Sequence, residues 1–132
     1  MGIKIVIVDD DRTTLAIIEK TLIMQGFWVY SARDGEEGFE LIKKERPALV
    51  ISDMLMPKLH GVDLCKKIKK TDEYKNIKVI LMTAVYKSNL PLKHEAKECG
   101  AEDIINKPLD MGLMVKKIYE VLDISKDDLE SK

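Results

Sequence analysis

The sequence has little of several features that would assign it to a specialised class of protein. It has two cysteines, Cys65 and Cys99, and no CxxC pair, which argues against a disulfide framework and predicts reduced, half-buried packing residues. No apolar run reaches the roughly 18 residues that a membrane span requires, and no signal-peptide pattern follows Met1, so we expect a cytoplasmic protein. Acidic and basic residues nearly cancel, 23 against 22, which argues against direct binding of nucleic acid or of a membrane surface.

The composition that remains is typical of one globular domain. A chain of 132 residues, 45% hydrophobic and 34% charged, can bury about two-thirds of the surface that its unfolded form exposes. Strand and helix patterns continue to Asp123, so we predict one domain over residues 1–123. Residues 124–132, ISKDDLESK, are predicted to be a short charged tail that is too small to fold alone.

Short apolar segments alternate with helical patterns along the domain. The predicted strands are residues 3–8, 27–32, 48–52, 77–82 and 102–106. A helical pattern follows each strand; the fourth, over residues 89–99, is mostly charged and is inferred from Pro91 near its start and Gly100 at its end. Several strands are apolar on both faces, as parallel strands covered by helices are. We therefore predict an α/β fold of the flavodoxin-like type, a doubly wound (βα)5 sandwich of three layers with strand order 2-1-3-4-5.

Reactive side chains follow the predicted strands at their carboxyl ends, where open α/β sheets bind ligands. The first strand is followed by Asp9, Asp10 and Asp11, the third by Asp53, the fourth by Thr83 and Ala84, and the fifth by Lys107. If the first and third strands are neighbours, Asp53 faces Asp9 and Asp10. Three clustered carboxylates repel unless a cation is present, and Mg²⁺ is commonly bound by one or two carboxylates, water and a phosphate. The hydroxyl and the ammonium opposite can bind phosphate oxygens, so the pattern predicts phosphoryl chemistry with Mg²⁺.

Asp53 is the predicted nucleophile of this site. It stands between the acidic pair and the threonine and lysine side, which suits it to attack phosphorus and become an acyl phosphate. Asp9 and Asp10 are predicted to reach the metal. Asp11 is expected to point into the start of the first helix, where an acid complements the helix dipole.

At these residues the sequence resembles the response-regulator receiver family of two-component signalling. The resemblance spans residues 3 to about 123 and rests on the order and spacing of several motifs. The motifs are VDDD at 8–11, DGEEGFELI at 34–42, LVISDMLMPKLHG at 49–61, MTA at 82–84 and GAEDIINKP at 100–108.

The resemblance implies a role for each residue of the site. Asp53 would accept a phosphoryl group from a sensor histidine kinase or a histidine phosphotransfer protein. The implied metal ligands are Asp9, Asp10, Asp53 and the backbone carbonyl of Leu55, holding Mg²⁺. Thr83 and Lys107 would bind phosphoryl oxygens, Ala84 would leave room for them, and the Lys107–Pro108 bond would be cis. The chain would then be a signalling phosphoacceptor rather than an enzyme, with a downstream protein target that the sequence does not identify. The resemblance also allows a phosphorylation-dependent dimer.

Two departures from the family pattern carry their own predictions. The family often has an aromatic residue three positions before the site lysine, where this chain has Ile104. We predict that Thr83 still moves the following loop, with Val85 and Tyr86 repacking against Ile104. The family commonly has polar residues two positions after the phosphoacceptor and two after the threonine, which are here Leu55 and Val85. Because neither can orient an attacking water, we predict slow self-dephosphorylation.

Two other classes of protein fit parts of the pattern. Residues 9–13 match the D-x-D-x-T motif of Mg²⁺-dependent phosphatases of the haloacid-dehalogenase type, with Asp9 as nucleophile and Asp11 as general acid. However, no acidic residue follows Lys107 at a strand end, and the helix after Thr13 leaves no room for the insertions that cover such sites. A flavin-binding module would need a hydroxyl- and glycine-rich loop after the first strand, where this chain has carboxylates.

Overall fold

Alternating strands and helices make up the part of the chain that the computed structural model describes, residues 2–56, 58–84 and 97–130. The strands are β1 (Lys4–Val8), β2 (Trp28–Ala32), β3 (Leu49–Asp53), β4 (Lys78–Ala84) and β5 (Asp103–Lys107). The helices are α1 (Arg12–Gln25), α2 (Gly35–Glu45), α3 (Gly61–Lys70), α4 (Met111–Leu122) and α5 (Lys126–Glu130). Every predicted strand is present within one or two residues of its predicted bounds.

The helix predicted over residues 89–99 falls almost entirely outside the described residues. Residues 97 and 98 are helical. Gly100, the predicted C-terminal cap, has a left-handed φ of 92°, and its N–H donates to the carbonyl of Lys97 at 3.2 Å. The end of this helix is therefore where the sequence places it.

All neighbouring strands of the sheet are parallel, in the order β2-β1-β3-β4-β5. This confirms the predicted flavodoxin-like topology. Because parallel strands end at the same edge, the register brings the ends of β3, β4 and β5 together, with Asp53 beside Met82 and Ala84 beside Lys107. The switch point between β1 and β3 lies at this edge.

Successive strand residues point to opposite faces and contribute to two apolar layers. Val6 and Val8 belong to the layer under α2 and α3, and Ile5 and Ile7 to the layer under α1 and α4. All five residues of β3 are buried, and the first three, Leu49, Val50 and Ile51, are apolar, as expected for a strand covered by helices on both faces. Each fully buried isoleucine contributes about 1.5–3 kcal/mol to stability, so the two layers hold the strand ends in place.

Polar residues fix the helix ends near the site edge. Asp11, Asp34 and Asp110 precede α1, α2 and α4, and each carboxylate accepts a hydrogen bond from a backbone N–H of the first turn, at 3.3, 2.8 and 3.1 Å. Gly26, with a left-handed φ of 104°, ends α1. Among the described residues, no helix combines the length and apolar character needed to cross a membrane.

The segment after Asp123 packs on the domain. Residues 124–132, predicted as a short charged tail, contain α5. Leu129 of this helix is buried in the layer under α1 and lies against Gly26. Ile124 is partly buried against the same layer, so two apolar residues attach this mostly charged segment to the core.

Candidate functional site

Three carboxylates meet at the carboxyl edge of the sheet. Asp9 follows β1 and is fully buried, Asp53 ends β3 and is 9% exposed, and Asp10 is exposed. One oxygen of each lies within 4.8 Å of the others. The Asp9 carboxylate is fixed by the N–H of Asp11, which donates to Oδ1 at 2.9 Å. The adjacency of β1 and β3 thus brings together the three acids that the sequence predicts.

Lys107 provides the positive charge of this cluster from the end of β5. Its Nζ donates to Oδ2 of Asp9 at 3.0 Å and to Oδ2 of Asp53 at 3.1 Å. The ammonium therefore bridges the acids that follow β1 and β3, although β4 lies between β3 and β5. The Lys107–Pro108 peptide bond is cis, as the family resemblance predicts.

Burial and mutual charge shift the titration of these groups. Loss of solvent raises the pKa of Asp9, and the nearby charge of Asp53 adds to this effect against the hydrogen bonds from Asp11 and Lys107. For Lys107, burial opposes the charged form, but the hydrogen bonds to Asp9 and Asp53 outweigh it and raise the pKa of the ammonium. Lys107 is accordingly held charged between the two acids.

Thr83 and Ala84 complete the edge at the end of β4. Thr83 is buried, and its hydroxyl donates to the carbonyl of Ala84 at 3.4 Å. Ala84 pairs in register with Lys107, and Thr83 lies one residue beyond the partner of Asp53. Asp9, Asp53 and Lys107 are thus joined by direct hydrogen bonds, whereas Thr83 and Ala84 share the edge with them through strand register.

The two departures from the family pattern flank this edge. The N–H of Leu55 lies 3.4 Å from Oδ1 of Asp53, and the residue is 58% exposed, so an apolar group stands beside the acid. Ile104 is partly buried and packs against the layer under α2 and α3. Val85 and Tyr86, which we predict to repack against Ile104, lie outside the described residues.

Gly61, to which the sequence analysis gave no separate role, shapes the loop after Asp53. A Cβ at residue 61 would overlap the backbone carbonyl oxygen of Asp53. The N–H of Gly61 donates to the carbonyl of Met54 at 3.1 Å, so a hydrogen bond joins the two ends of the loop. The signal in the sequence is the glycine itself, placed directly before the apolar positions of a helix.

Gly35 plays the matching part on the side of α2. A Cβ at this residue would overlap the carbonyl oxygen of Leu59, so the loop rests on the first turn of α2. Lys58, with a left-handed φ of 68°, forms an ion pair with Asp34 at 3.5 Å. The loop that follows Asp53 is therefore fastened to the start of α2 by one close backbone contact and one ion pair.

The ligand atoms of the cluster suit a small, hard divalent cation. Three carboxylates face one ammonium, so negative charge remains for a metal ion to balance. Mg²⁺ accepts oxygen ligands, keeps several waters, and commonly uses one or two carboxylates together with a phosphate. Asp10, which is exposed beside the buried acids, leaves a face of the cluster open to such an ion and its waters.

Comparisons with known proteins agree with this architecture. The chain matches the family described as "Response regulator receiver domain" over residues 5–119. It is 36% identical over 111 residues to sporulation initiation phosphotransferase F of Bacillus subtilis, covering 84% of this chain and 86% of that protein. It is 35% identical over 119 residues to the probable transcriptional regulator ycf27 of Porphyridium aerugineum, covering 90% of this chain and 48% of that protein. The structure of a putative response regulator from Chloroflexus aurantiacus superposes with a TM-score of 0.87 at 30% identity, over 93% of this chain and 99% of that one.

An open α/β sheet with acids after β1 and β3 and a lysine after β5 defines a receiver-type fold. The chain belongs to the response regulator receiver domain family. Receiver domains of this family take part in two-component signalling as phosphoacceptors, and this assignment decides against the haloacid-dehalogenase alternative. The chain spans about half the length of the ycf27 regulators that it matches.

Proposed function

We propose that Asp53 is the residue that accepts the phosphoryl group. The observation that carries this proposal is the contact of its carboxylate with Lys107 at 3.1 Å, inside a cluster that also contains Asp9 and Asp10. Asp53 is the acid that lies nearest the end of β4 in strand register, so it faces the threonine side as well as the acidic side. One of its oxygens would bond to phosphorus as the bond from phosphorus to the imidazole nitrogen of the donor breaks.

The neighbouring residues would stabilise the charge that arrives with the phosphoryl group. Lys107 is already charged and within hydrogen-bonding distance of Asp53, so it can donate to a phosphoryl oxygen attached there. The hydroxyl of Thr83 is a second donor at the same edge, and the small side chain of Ala84 leaves space between them. The protein thereby contributes positioning and charge stabilisation, which are the main requirements of phosphoryl transfer.

Asp9, Asp10, Asp53 and the backbone carbonyl of Leu55 would hold Mg²⁺ in this proposal. When bound, the ion balances the charge of the carboxylates and of phosphoryl oxygens. Asp9, which is buried and fixed by the Asp11 N–H, would act mainly through water, and the exposed Asp10 would bind directly.

The reaction partners follow from the same chemistry. We infer that the donor is a sensor histidine kinase or a histidine phosphotransfer protein and that the phosphorylated chain binds a downstream protein or a second copy of itself. The chain would then promote only its own phosphorylation and a slow self-dephosphorylation. Leu55, exposed beside Asp53, offers no group that could orient an attacking water.

Incubation with acetyl phosphate and Mg²⁺ tests the proposal. Intact mass spectrometry should detect the addition of one phosphoryl group to the wild-type chain, and Asp53→Asn should abolish it. The matched control is Asp72→Asn, because the side chain of Asp72 is 97% exposed and pairs only weakly with Lys75 at 3.7 Å. Phosphorylation of the Asp53→Asn variant to the wild-type extent would show that another residue is the acceptor, and an equal loss in the control would show that the loss is not specific to Asp53.

A further inference from the structure

Two cysteines meet on the side of the sheet that α3 covers. Cys65 lies on α3 and is fully buried, and Cys99 lies in the turn before β5 and is 4% exposed. Although they are 34 residues apart in sequence, the Cys65 sulfur lies 3.4 Å from the carbonyl oxygen of Cys99. The pKa of each thiol is shifted mainly by the other thiol, which agrees with this proximity. The residues expected to be half-buried and separate are thus buried and in contact.

Well-packed elements hold both cysteines in this position. Cys65 belongs to the apolar layer under α2 and α3. On α3 it follows Leu64 and precedes Ile68 by about one helical turn, and both neighbours are buried in the same layer. Cys99 is followed by Gly100, whose left-handed backbone makes the turn that returns the chain over α3. A Cβ at Gly100 would lie 3.3 Å from Cγ of Lys69, so the turn rests directly on the helix. The position of the Cys65 sulfur against residue 99 is therefore built into the fold.

We propose that Cys65 and Cys99 form an oxidation site, a dithiol that hydrogen peroxide converts into an intramolecular disulfide joining α3 to the turn before β5. This site is separate from the phosphoacceptor cluster, and the proposal does not depend on the function of Asp53. It makes the chain a target for small hydroperoxides as well as for a phosphodonor.

The reaction balances with peroxide as the only co-reactant. The thiolate of Cys99 attacks one oxygen of hydrogen peroxide, the O–O bond breaks, and the hydroxide that leaves takes up a proton to become water. The sulfur of Cys65 then attacks the sulfenic acid of Cys99, the S–O bond breaks, and a second water leaves with the proton from Cys65. Two thiols are oxidised by two electrons, and one peroxide is reduced to two waters.

The surroundings of the pair favour Cys99 as the first sulfur to react. The hydrogen bond from Cys65 lowers the pKa of Cys99 to about 7 against the opposing effect of burial, and the N–H of Ala101 and the charge of Lys66 act in the same direction. The same hydrogen bond, together with burial, raises the pKa of Cys65. Because the thiolate is the reactive form, this lowering of the pKa favours Cys99 over Cys65 as the first sulfur to react.

A surface groove is lined by residues that are next to the two cysteines in sequence. It has a volume of about 330 Å³, and its lining includes Val62 and Lys66 of α3 and Glu98. Lys66 is the chain neighbour of Cys65, and Glu98 is the neighbour of Cys99. Cys99 keeps 4% of its surface exposed, and we expect hydrogen peroxide to reach the pair through this residue.

The test is controlled oxidation of the wild-type chain. The protein is treated with a small molar excess of hydrogen peroxide, unfolded in the presence of iodoacetamide, and digested without reductant for peptide mapping. We expect both alkylation sites to be lost together, a peptide pair linked through Cys65 and Cys99, a monomer on a non-reducing gel, and full recovery of both thiols with dithiothreitol. The proposal would be overturned if both thiols still reacted with iodoacetamide after peroxide treatment. A sulfinic acid at one residue or disulfide-linked dimers would also overturn it.

Two further measurements separate the pair from general oxidation. In Cys65→Ser, Cys99 should consume peroxide without forming a disulfide, and in Cys99→Ser, Cys65 should stay reduced. Since a disulfide across 34 residues restricts the unfolded chain, oxidised wild type should also melt about 5–15 °C above the reduced form. A lower Tm after oxidation would mean that the bond forms only by distorting the fold, and would contradict the proposal even if neither variant could be purified.

Discussion

At the level of single residues, Lys107 decides the charge balance of the site. Its ammonium contacts the fully buried Asp9 and the nearly buried Asp53 at almost equal distances. A buried carboxylate without a positive partner is costly, whereas an exposed one is not. The contribution of a lysine therefore depends mainly on how deeply its acidic partner is buried.

Replacing Lys107 by methionine should lower the free energy of unfolding by about 2–4 kcal/mol in EDTA, because Asp9 would be left buried without a cation. Added Mg²⁺ should recover part of this loss, since the ion supplies positive charge to the same carboxylates. Urea unfolding with and without Mg²⁺ measures both effects. Lys117→Met is the matched control: Lys117 is 25% exposed against 23% for Lys107, but its partner Asp103 is 34% exposed, so the loss should stay below about 1 kcal/mol. Equal losses in the two variants would contradict this assignment.

Leu55 is expected to set the lifetime of the phosphorylated state. Leu55→Asn adds a group beside Asp53 that can hydrogen-bond an attacking water, and one such bond is worth about 0.5–1.5 kcal/mol. Self-dephosphorylation should therefore accelerate about two- to tenfold. The decay of the phosphorylated mass after removal of the donor measures the rate. Leu113→Asn, which changes another exposed leucine in the same way, should leave the rate unchanged; an unaltered decay in Leu55→Asn would show that solvent already reaches phosphorus freely.

At the level of elements, the loop between β3 and α3 depends on the absence of a side chain at residue 61. Gly61→Ala places a methyl group against the carbonyl oxygen of Asp53, so the loop and the end of β3 must shift. We expect a loss of about 1–3 kcal/mol in unfolding free energy and a lower yield of phosphorylation by acetyl phosphate. Gly112→Ala is the control, because residue 112 lies in α4 with only Asp110 Oδ1 nearby at 3.4 Å, and alanine there should stabilise by about 0.5–1 kcal/mol. A Gly61→Ala variant with wild-type stability and phosphorylation would rule out this role.

The elements themselves could be predicted from the sequence, because their signals are local. The apolar residues at the start of β3 indicate the strand, and Asp34 and Gly26 mark the start of α2 and the end of α1. The contacts of Gly61 with Asp53 and of Cys65 with Cys99 could not be predicted in this way. These contacts depend on the three-dimensional course of a loop or a turn, which the hydrophobic periodicity of the sequence does not predict.

At the level of the whole molecule, topology explains why the acidic site could be predicted. Once β1 and β3 are neighbours, Asp9 and Asp53 must end at the same edge, and a lysine after β5 can reach them. The packing of residues 124–129 is different, because the burial of Leu129 against Gly26 depends on a short helix in a mostly charged segment. The sequence signal there is one isoleucine and one leucine, which is too weak to distinguish a packed segment from a free one.

Magnesium should stabilise the whole fold, because its proposed ligands come from both β1 and β3. At 100 times its Kd, Mg²⁺ should raise the free energy of unfolding by about 2.7 kcal/mol. Calorimetry in EDTA and in increasing MgCl2, with ionic strength held constant by NaCl, measures the shift. In Asp10→Asn the stability in EDTA should rise, because one repelling charge is removed, and the effect of Mg²⁺ should be much smaller. An equal shift with NaCl alone would mean that the effect is general screening.

The attachment of the loop after Asp53 to the start of α2 has a directional consequence. Leu59 lies against Gly35 and Lys58 pairs with Asp34, so two contacts restrain that flank of the proposed phosphoacceptor. Added bulk on Asp53 must then be accommodated on the opposite flank, where β4 and β5 end. We therefore expect phosphorylation to displace the ends of β4 and β5 more than the loop after Asp53. Partners that sense phosphorylation should then bind near those strand ends.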